Sequence, residues 1–253
     1  MGNMTRYADL HGQNVLITGT SGGLGSVIAQ VFLDAGAKVA CHARTEERAR
    51  AAAGALTGAD GAAAPVWGDL TKDTANVVTQ AVDAFGSLNG LVNNAGLQPV
   101  EEFGNLTRDA WHRVVDVNLN AVHDLTREVS TVLDRGGWVT HIASIEGVRP
   151  AAGHAHYASA KAGVIMHAKA AALELGARGI RVNTVSPGLI ARPGIEQQWP
   201  EGVASWQKHA PLGDLIPPEQ VAAACTILAS ESAAFITGHN LVVDGGMLAT
   251  PGW

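Results

Sequence analysis

Short apolar segments alternate along the chain with longer segments of helical periodicity, and this alternation limits the possible folds more than any other feature. The apolar segments have the length of buried strands, and those between them have the length of helices. The predicted strands lie at 15–18, 37–42, 63–67, 90–93, 138–143, 180–185 and 240–243. The predicted helices lie at 24–35, 45–56, 74–85, 108–133, 157–177 and 218–229.

Strands that alternate with helices are parallel, and their crossover connections are almost always right-handed. The sequence therefore predicts an α/β fold: a single-domain, doubly wound parallel sheet, Rossmann-like, with helices on both faces. Ligands of such a sheet bind beyond the carboxyl ends of its strands. No linker or internal repeat divides the chain, so residues 1–253 are predicted to form one domain.

The segment 189–218 does not fit the alternation. It contains five prolines and the tryptophans Trp199 and Trp206, and it is too long for an ordinary connection. We expect an irregular substrate loop or lid here. The two indoles could form the wall of a pocket, or they could simply attach the loop to the rest of the protein.

Composition narrows the class of partner. The formal net charge is −6, and no block of basic residues occurs, which argues against nucleic acid and anionic membranes as partners. No apolar run has the roughly 18 residues of a membrane span, and the polar segment 1–10 lacks the pattern of a secretory signal. The only cysteines are Cys41, in a predicted buried strand, and Cys225. These features favour the cytoplasm.

A glycine cluster stands between the first predicted strand and the first predicted helix. Its sequence is Thr18-Gly19-Thr20-Ser21-Gly22-Gly23-Leu24-Gly25. Glycines allow the backbone to approach a pyrophosphate, and the helix that follows offers free N–H groups to an anion. The spacing differs from Gly-x-Gly-x-x-Gly, so the cluster alone is equally compatible with a plain tight turn.

Four motifs together carry a family resemblance. They are Thr18-Gly-x-x-x-Gly-x-Gly25, Asn93-Asn-Ala-Gly96, Ser144 and Tyr157-x-x-x-Lys161, in this order along the chain. In order and spacing the chain resembles the short-chain dehydrogenase/reductase superfamily. The likeness also includes Asp69-Leu70, Asn118, Pro187-Gly188 and Val243-Asp-Gly-Gly246, so it extends from residue 10 to residue 246. The resemblance implies an NAD(P)(H)-dependent oxidoreductase that transfers a hydride to or from a carbonyl or alcohol carbon of a small molecule.

The resemblance also implies a set of cofactor-binding residues. Gly19, Thr20, Ser21, Gly22, Gly23, Leu24 and Gly25 would hold the pyrophosphate. Asp69 and Leu70 would flank the adenine, Asn94, Ala95 and Gly96 would line the cleft, and Ile190 would contact the nicotinamide. Tyr157 and Lys161 complete the predicted cofactor-binding set.

The end of the second predicted strand bears on the choice between NADP(H) and NAD(H). An acidic residue there would accept hydrogen bonds from the ribose 2′-hydroxyl of NAD(H), but this chain has Ala43 and then Arg44. A guanidinium suits a 2′-phosphate, so NADP(H) is favoured over NAD(H). Two observations limit this inference: Arg44 could point into water, and Gly22 stands where many NADP(H)-preferring relatives have a basic residue.

Tyr157 and Lys161 are four residues apart, so a helix would place them on one face. A nearby ammonium favours the phenolate, which would allow Tyr157 to act as general acid and base. Ser144 would hold the reacting oxygen, and Lys161 would also bind the nicotinamide ribose. The resemblance implies that Asn118 holds a water that connects Lys161 to solvent. Taken singly, each residue could instead be an ordinary surface or turn residue.

The residues around this predicted tetrad give weaker indications about the substrate. His154, His156, Glu146 and Arg149 could contact a polar substrate, or they could be helix-cap and surface groups. No third ligand at metal spacing accompanies the histidines, so no metal site is predicted. Arg192 stands where relatives often have threonine, and it could bind a substrate carboxylate or point outward.

Two other functions remain open. One is a 3-oxoacyl-[acyl carrier protein] reductase, in which Arg135 and Arg178 would face the acidic carrier. The other, from a different class, is a non-catalytic regulator that only binds the cofactor. The family resemblance further implies a homo-oligomer, most commonly a homotetramer, with the apolar tail 247–253 at a subunit interface.

Overall fold

In the computed structural model, which describes residues 8–58 and 61–250, seven strands form one parallel sheet. Residues 1–7 of the polar N-terminal segment and residues 251–253 of the apolar tail lie outside the described part. The strands are β1 (Asn14–Ile17), β2 (Lys38–Ala43), β3 (Ala63–Trp67), β4 (Gly90–Asn93), β5 (Trp138–Ile142), β6 (Arg181–Pro187) and β7 (Asn240–Val243). Their order, β3-β2-β1-β4-β5-β6-β7, confirms the predicted doubly wound sheet.

Helices cover both faces of this sheet. They are α1 (Gly23–Asp34), α2 (Glu46–Ala55), α3 (Thr74–Phe85), α4 (Arg108–Val115), α5 (Ala121–Val132), α6 (Ala155–Leu175), α7 (Ile195–Gln198), α8 (Pro200–His209) and α9 (Pro218–Ala229). Among the residues that the structure describes, none of these helices has the length and apolar character needed to cross a membrane.

Successive side chains of each strand point to opposite faces of the sheet, so the core is divided into two layers. Val15 and Ile17 point to a core that contains α1 and α9, where the rings of Phe32 and Trp138 lie 5.9 Å apart. Leu16, between them, points to the opposite core beneath α3, α5 and α6. Because both faces are covered, most of the strands are largely apolar, which is why they were recognisable in the sequence, although β6 also buries polar side chains.

The order of the sheet reverses between β1 and β4. Ile17 pairs with Cys41 of β2 on one side and with Val92 of β4 on the other. The chain therefore leaves β1 and β4 toward opposite faces, which opens a crevice above their carboxyl ends. The predicted glycine loop follows β1 and leads into this crevice.

The structure differs from the sequence prediction in two segments. The helix predicted at 108–133 is interrupted by a wider, π-helical turn at Asp116–Asn120. The side-chain Nδ2 of Asn118 donates to the carbonyl of Val114 at 2.9 Å, so the amide occupies a backbone acceptor in the last turn of α4, directly before the wider turn. The segment 189–218, predicted to be irregular, contains α7 and α8.

A chain of three histidine rings runs from β5 to the surface. His141 is fully buried on β5, and its Nε2 lies 3.3 Å from Nδ1 of His167 on α6. His167 Nε2 lies 3.2 Å from Nδ1 of the exposed His123 on α5. At the inner end, Asn93 Nδ2 lies 3.1 Å from His141 Nδ1.

The neighbours of Asn93 determine which way these bonds point. Thr126 donates its hydroxyl hydrogen to the Val122 carbonyl, so its oxygen accepts from Asn93 Nδ2. The same amide nitrogen donates to His141 Nδ1, which must then be unprotonated. The neutral rings of His141 and His167 therefore each donate their Nε2–H to Nδ1 of the next histidine toward the surface. A second proton on either ring would place two N–H donors opposite each other. In addition, burial lowers the pKa of His141 well below 6.5 and also lowers the pKa of His167.

These histidines should make stability depend on pH. Their pKa values are lower in the folded protein than the unfolded value of 6.5, so below pH 6.5 the unfolded chain binds more protons. We expect the free energy of unfolding, measured with urea, to fall as the pH decreases from 7.5 to 5.5. His167→Gln should reduce this fall, whereas His209→Gln, on the exposed end of α8, should leave it unchanged. The assignment would be contradicted if the free energy of unfolding fell equally with decreasing pH in both variants.

Candidate functional site

The Thr18 side chain joins the end of β1 to the loop after β4. Its Oγ1 accepts hydrogen bonds from the backbone N–H groups of Asn94 at 2.9 Å and Ala95 at 3.0 Å. In return, Asn94 Nδ2 donates to the Thr18 carbonyl at 2.8 Å. We refer to this arrangement as the Thr18–Asn94 clasp. It connects the two segments that form the floor of the crevice.

Glycines bring the start of α1 against the end of β1. Gly19 has a φ of +71°, and a Cβ at Gly25 would lie 2.1 Å from the Gly19 carbonyl oxygen. A larger residue at position 25 would therefore push the helix away from the loop. Gly22 caps α1 without a side-chain hydrogen bond, so no side chain occupies the N–H groups of the first turn. This cradle fits the pyrophosphate of a dinucleotide.

A cleft of about 340 Å³ extends from the glycine loop along the carboxyl ends of the strands. The predicted cofactor residues that line it are Gly19, Ser21, Gly22, Leu24, Gly25, Arg44, Asp69, Leu70, Asn94, Ala95 and Gly96. The predicted residues that are not among its lining residues are Thr20, Gly23, Tyr157, Lys161 and Ile190. Thr20 is buried and donates its hydroxyl to the His42 carbonyl, and Ile190 forms an isolated parallel bridge with Ile216.

One end of the cleft carries two arginines, only one of which the sequence analysis identified. Arg44 follows β2, and Arg48 lies in the first turn of α2, where its N–H is capped by the Thr45 hydroxyl. The spacing of one helical turn after Arg44 is the signal that could have revealed Arg48. Asp69 lines the same end, and its pKa is lowered mainly by hydrogen bonds from Thr71.

His42 was also missed, although it supports the cleft from below. Its Nε2 lies 3.0 Å from the Gly68 carbonyl, and its Nδ1 accepts the Gly19 N–H at 3.4 Å. Burial lowers the pKa of His42, which favours the neutral ring that this arrangement requires. The ring therefore ties the glycine loop to the loop after β3. Its position in a buried strand gave no signal in the sequence.

The four predicted catalytic residues come from three parts of the fold. Ser144 follows β5, Tyr157 and Lys161 lie near the start of α6, and Asn118 is in the π-helical turn. Lys161 is buried, with its Nζ 5.6 Å from the centroid of the Tyr157 ring and 2.7 Å from the Ile142 carbonyl, to which it donates. The helix thus places the phenol and the ammonium together, as the spacing predicted.

Burial dominates the electrostatics of this group. It raises the pKa of Tyr157 to about 12, although a hydrogen bond with Ser144 acts in the opposite direction. It also lowers the pKa of Lys161 to about 8, so Lys161 remains mostly charged at pH 7. Tyr157 is therefore a phenol near neutral pH in this state, a form that can donate a proton.

Gly96 marks the place where the cleft meets these residues. A Cβ at Gly96 would lie 2.7 Å from Asn118 Oδ1 and 3.8 Å from Lys161 Nζ. The Asn118 amide is bonded to the backbone of Leu97, accepting from its N–H at 3.2 Å and donating to its carbonyl at 2.9 Å. Asn118 therefore holds the loop beyond Gly96 in place beside Lys161.

The residues considered for substrate contact lie in different environments. Glu146 and His154 are hydrogen-bonded to each other at 2.9 Å beside Tyr157. His156 is fully buried, and its Nδ1 accepts the Tyr157 N–H. Arg149 donates to the Met247 carbonyl at 2.6 Å and so holds the C-terminal segment.

The two tryptophans of the segment 189–218 lie in different environments. Trp206 is buried against Gly188, and its indole N–H donates to the Asp214 carbonyl at 3.0 Å. Trp206 therefore attaches the segment to the core, whereas Trp199 remains 53% exposed. Arg192 is on the surface, where its guanidinium donates to Gln198 Oε1 at 2.6 Å.

Comparison with known proteins gives consistent relatives over nearly the whole chain. A family model described as enoyl-(acyl carrier protein) reductase matches residues 19–248. The chain is 38% identical to 3beta-hydroxysteroid dehydrogenase 1 of Eggerthella lenta, covering 98% of both proteins. It is 34% identical to the 3-oxoacyl-[acyl-carrier-protein] reductase FabG of Chlamydia pneumoniae, covering 94% of this chain and 98% of that relative.

Solved structures agree with the relatives found by sequence. A short-chain dehydrogenase/reductase described as a glucose/ribitol dehydrogenase, from Brucella melitensis, superposes with a TM-score of 0.89 at 28% identity. The match covers 95% of this chain and 98% of that one. A short-chain type dehydrogenase/reductase from Mycobacterium marinum gives a TM-score of 0.88 at 31% identity, covering 96% of this chain and 98% of that one.

Gly25→Ala should weaken binding of the dinucleotide. The added Cβ would collide with the Gly19 carbonyl and move the start of α1, so we expect the Kd for NADPH, measured by fluorescence, to rise about tenfold or more. Gly54→Ala is the matched control, because Gly54 lies in α2 with open space around its Cβ position. Unchanged NADPH affinity in Gly25→Ala would contradict this role of the loop.

Proposed function

The chain belongs to the short-chain dehydrogenase/reductase superfamily of oxidoreductases, and we propose that Tyr157 is its general acid and base. The protein transfers a hydride between a nicotinamide dinucleotide and a carbonyl or secondary alcohol carbon of a small molecule. The observation that carries the assignment is the half-buried Tyr157 side chain, which has the Lys161 ammonium 5.6 Å from the centroid of its ring.

The chemistry follows from the side chains of Ser144, Tyr157 and Lys161. The bound dinucleotide supplies the hydride in reduction and accepts it in oxidation. In reduction, the Ser144 hydroxyl holds the carbonyl oxygen and stabilises the charge that develops there. Tyr157 gives its proton to that oxygen, which completes the alcohol, and the Lys161 ammonium stabilises the phenolate that remains. In oxidation, the Tyr157 phenolate removes the hydroxyl proton.

Asn118 and Lys161 complete the proposed proton path. The Asn118 amide holds Leu97 and the wider turn, so its role here is to shape the space next to Lys161 in which a water could bind. That water would return protons from solvent to the active site through Lys161. Lys161 would also bind the nicotinamide ribose, because its Nζ lies beside Gly96 at the end of the cleft.

We assign the cofactor-binding role to the glycine loop and its neighbours, with NADP(H) preferred over NAD(H). Gly19 to Gly25 would hold the pyrophosphate, Asp69 and Leu70 the adenine, and Asn94 to Gly96 the rest of the cleft, with Ile190 near the nicotinamide. Support for NADP(H) comes from Arg44 and Arg48, two guanidinium groups at one end of the cleft. Two cations there suit a 2′-phosphate better than a hydroxyl.

A free small molecule is the substrate that fits best. A 3-oxoacyl-[acyl carrier protein] reductase, as one relative is named, would need basic groups toward an acidic carrier. The two arginines considered for this are bonded to backbone instead: Arg178 donates to the Ser130 carbonyl at 2.6 Å, and Arg135 to the Ala177 carbonyl at 3.5 Å. Activity on an acyl carrier thioester would favour the carrier over a free ketone.

Two broader properties belong to the same proposal. A homo-oligomer, a tetramer by family resemblance, is supported by the exposed apolar residues Met166 and Leu173 on α6, and light scattering would test it. A cytoplasmic location is supported by Cys41 and Cys225, which are both buried free thiols.

Tyr157→Phe should abolish turnover without affecting cofactor binding. The substitution removes only the hydroxyl, so we expect kcat on the best ketone of a carbonyl panel to fall by about 10³-fold. The Kd for NADPH should stay within about twofold of wild type. Tyr7→Phe, at the only other tyrosine, is the control. Turnover that survives in Tyr157→Phe would refute the mechanism, and a wild type that binds NADPH but reduces no carbonyl would favour a non-catalytic regulator.

Arg44→Ala and Arg48→Ala should each reduce the preference for NADPH. Loss of a charged hydrogen bond to the 2′-phosphate is expected to weaken NADPH binding by about tenfold and to leave NADH binding nearly unchanged. Arg50→Ala is the control, because Arg50 lies on the same helix but pairs with Glu46 at 2.7 Å. Tighter binding of NADH than NADPH by the wild type would contradict the assignment.

A further inference from the structure

A hydrogen-bonded pair of side chains beside the catalytic residues has no role in the mechanism above. Glu146 Oε2 lies 2.9 Å from His154 Nδ1, and Glu146 Oε1 accepts from Gln98 Nε2 at 2.8 Å. Since an ionised carboxylate only accepts, His154 Nδ1 carries the hydrogen of this bond. The neutral ring of His154 therefore has its free lone pair on Nε2. We refer to these two residues as the Glu146–His154 pair.

The second ring nitrogen of His154 is shielded from solvent and, within the described part of the chain, has no hydrogen-bond partner. Such atoms are rare in proteins, because a buried polar atom that makes no hydrogen bond has lost its hydration without compensation. Nε2 of His156 is in the same situation, but its ring is fully buried and out of reach of a ligand. The His154 side chain is 15% exposed, so a ligand can approach this ring and supply the missing partner.

The Glu146–His154 pair links the two segments that carry the catalytic hydroxyls. Glu146 lies two residues after Ser144, and its backbone N–H donates to Ser144 Oγ at 3.1 Å. His154 stands at the start of α6, three residues before Tyr157. The rings of His154 and Tyr157 are arranged edge to face, with their centroids 6.1 Å apart. A substrate whose reacting oxygen is held by Ser144 and Tyr157 therefore has the His154 ring as its neighbour.

The chemistry of the pair defines which substrate group fits beside it. Nε2 of the neutral ring accepts a hydrogen bond, so it requires a donor such as a hydroxyl. A hydroxyl also accepts, so it would satisfy the protonated ring as well. A carboxylate fits poorly, because it would lie close to the negative charge of Glu146. Since the rings of His154 and Tyr157 are adjacent, the hydroxyl belongs on a carbon about one or two bonds from the reacting carbon.

We propose that His154 is a specificity-determining residue that binds a hydroxyl group next to the reacting carbonyl, which makes hydroxyketones and the corresponding diols the preferred substrates. Glu146 fixes the tautomer and the orientation of the His154 ring, and Gln98 holds Glu146. Because Gln98 is exposed, it is the neighbour that can move aside when a hydroxyl reaches Nε2. The inference rests on the proposed function, since it names the substrate class of the same site.

Two matched pairs of ketones measure the proposed preference. Hydroxyacetone and 2-butanone differ only by a hydroxyl in place of a methyl group, and so do 2-hydroxycyclohexanone and 2-methylcyclohexanone. With NADPH, the wild type should show a kcat/KM about tenfold or more higher for the hydroxylated member of at least one pair. Pyruvate, which has a carboxylate in place of the hydroxymethyl group, should be a poorer substrate than hydroxyacetone, because its charge would meet that of Glu146.

Three variants of His154 separate the role of Nε2 from the bond to Glu146. His154→Asn keeps an amide N–H at the position of Nδ1 but has no atom at Nε2, so the ratio of the two kcat/KM values should fall to within about twofold of one. His154→Phe keeps a ring without either nitrogen and should give the same result. His154→Gln places a polar atom near the position of Nε2 and should retain part of the preference. A general loss of activity affects both ketones of a pair and cancels in the ratio.

His239→Asn is the matched control. His239 is exposed directly before β7, at the opposite edge of the sheet from the carboxyl ends where the site lies. This variant should keep the wild-type ratio for both pairs of ketones. A preference for the hydroxylated ketone that persists in His154→Asn would overturn the inference.

Binding provides a second readout that does not require turnover. In the NADPH complex of Tyr157→Phe, NMR titration should show that hydroxyacetone binds about tenfold more tightly than 2-butanone, and the additional change His154→Asn should remove this difference. Equal values for the two members of both pairs, in wild-type turnover and in this complex, would overturn the inference, while a loss of turnover in Tyr157→Phe would leave the proposed function standing. Turnover that survives in Tyr157→Phe would refute the mechanism, yet the preference for the hydroxyl could still be measured.

Discussion

The Thr18–Asn94 clasp is the interaction on which the rest of the site depends. It joins β1 to the loop after β4 at the one place where the order of the sheet reverses, so the crevice and the glycine loop share a common base. Gly25 then brings the start of α1 into contact with this base, and His42 attaches the loop after β3 to it. A dinucleotide therefore meets a preformed surface, which avoids the entropy of ordering a loop on binding.

The catalytic residues are organised around the same base through Gly96. Only a glycine at this position leaves room for the Asn118 amide, and Asn118 in turn occupies a carbonyl in the last turn of α4. The helix α6 brings Tyr157 and Lys161 against the end of β5, where Lys161 donates to the Ile142 carbonyl. Because Lys161 is buried and Tyr157 is half-buried, their protonation depends on a small number of neighbouring groups.

Much of the fold could be predicted because buried parallel strands are short and apolar on both faces. The strands at 63–67, 90–93 and 240–243 were predicted with their observed bounds. The wider turn at Asp116–Asn120 could not be predicted, since it arises from a side-chain amide that bonds its own helix, and helical periodicity continues through it. The helices α7 and α8 were missed because they are short and prolines and glycines interrupt the segment around them, while Trp206 holds the segment through a tertiary contact.

The sequence by itself determined the strand and helix alternation, the glycine loop and the spacing of Tyr157 and Lys161, because each of these is expressed within a few consecutive residues. Only the tertiary structure decided which distant residues share a site. Arg48 joins Arg44 in the cleft, His42 supports Gly19, and Glu146 meets His154 beside Tyr157 because separate elements converge at one end of the sheet. Such contacts depend on the packing of whole elements, which leaves no periodic signal in the chain.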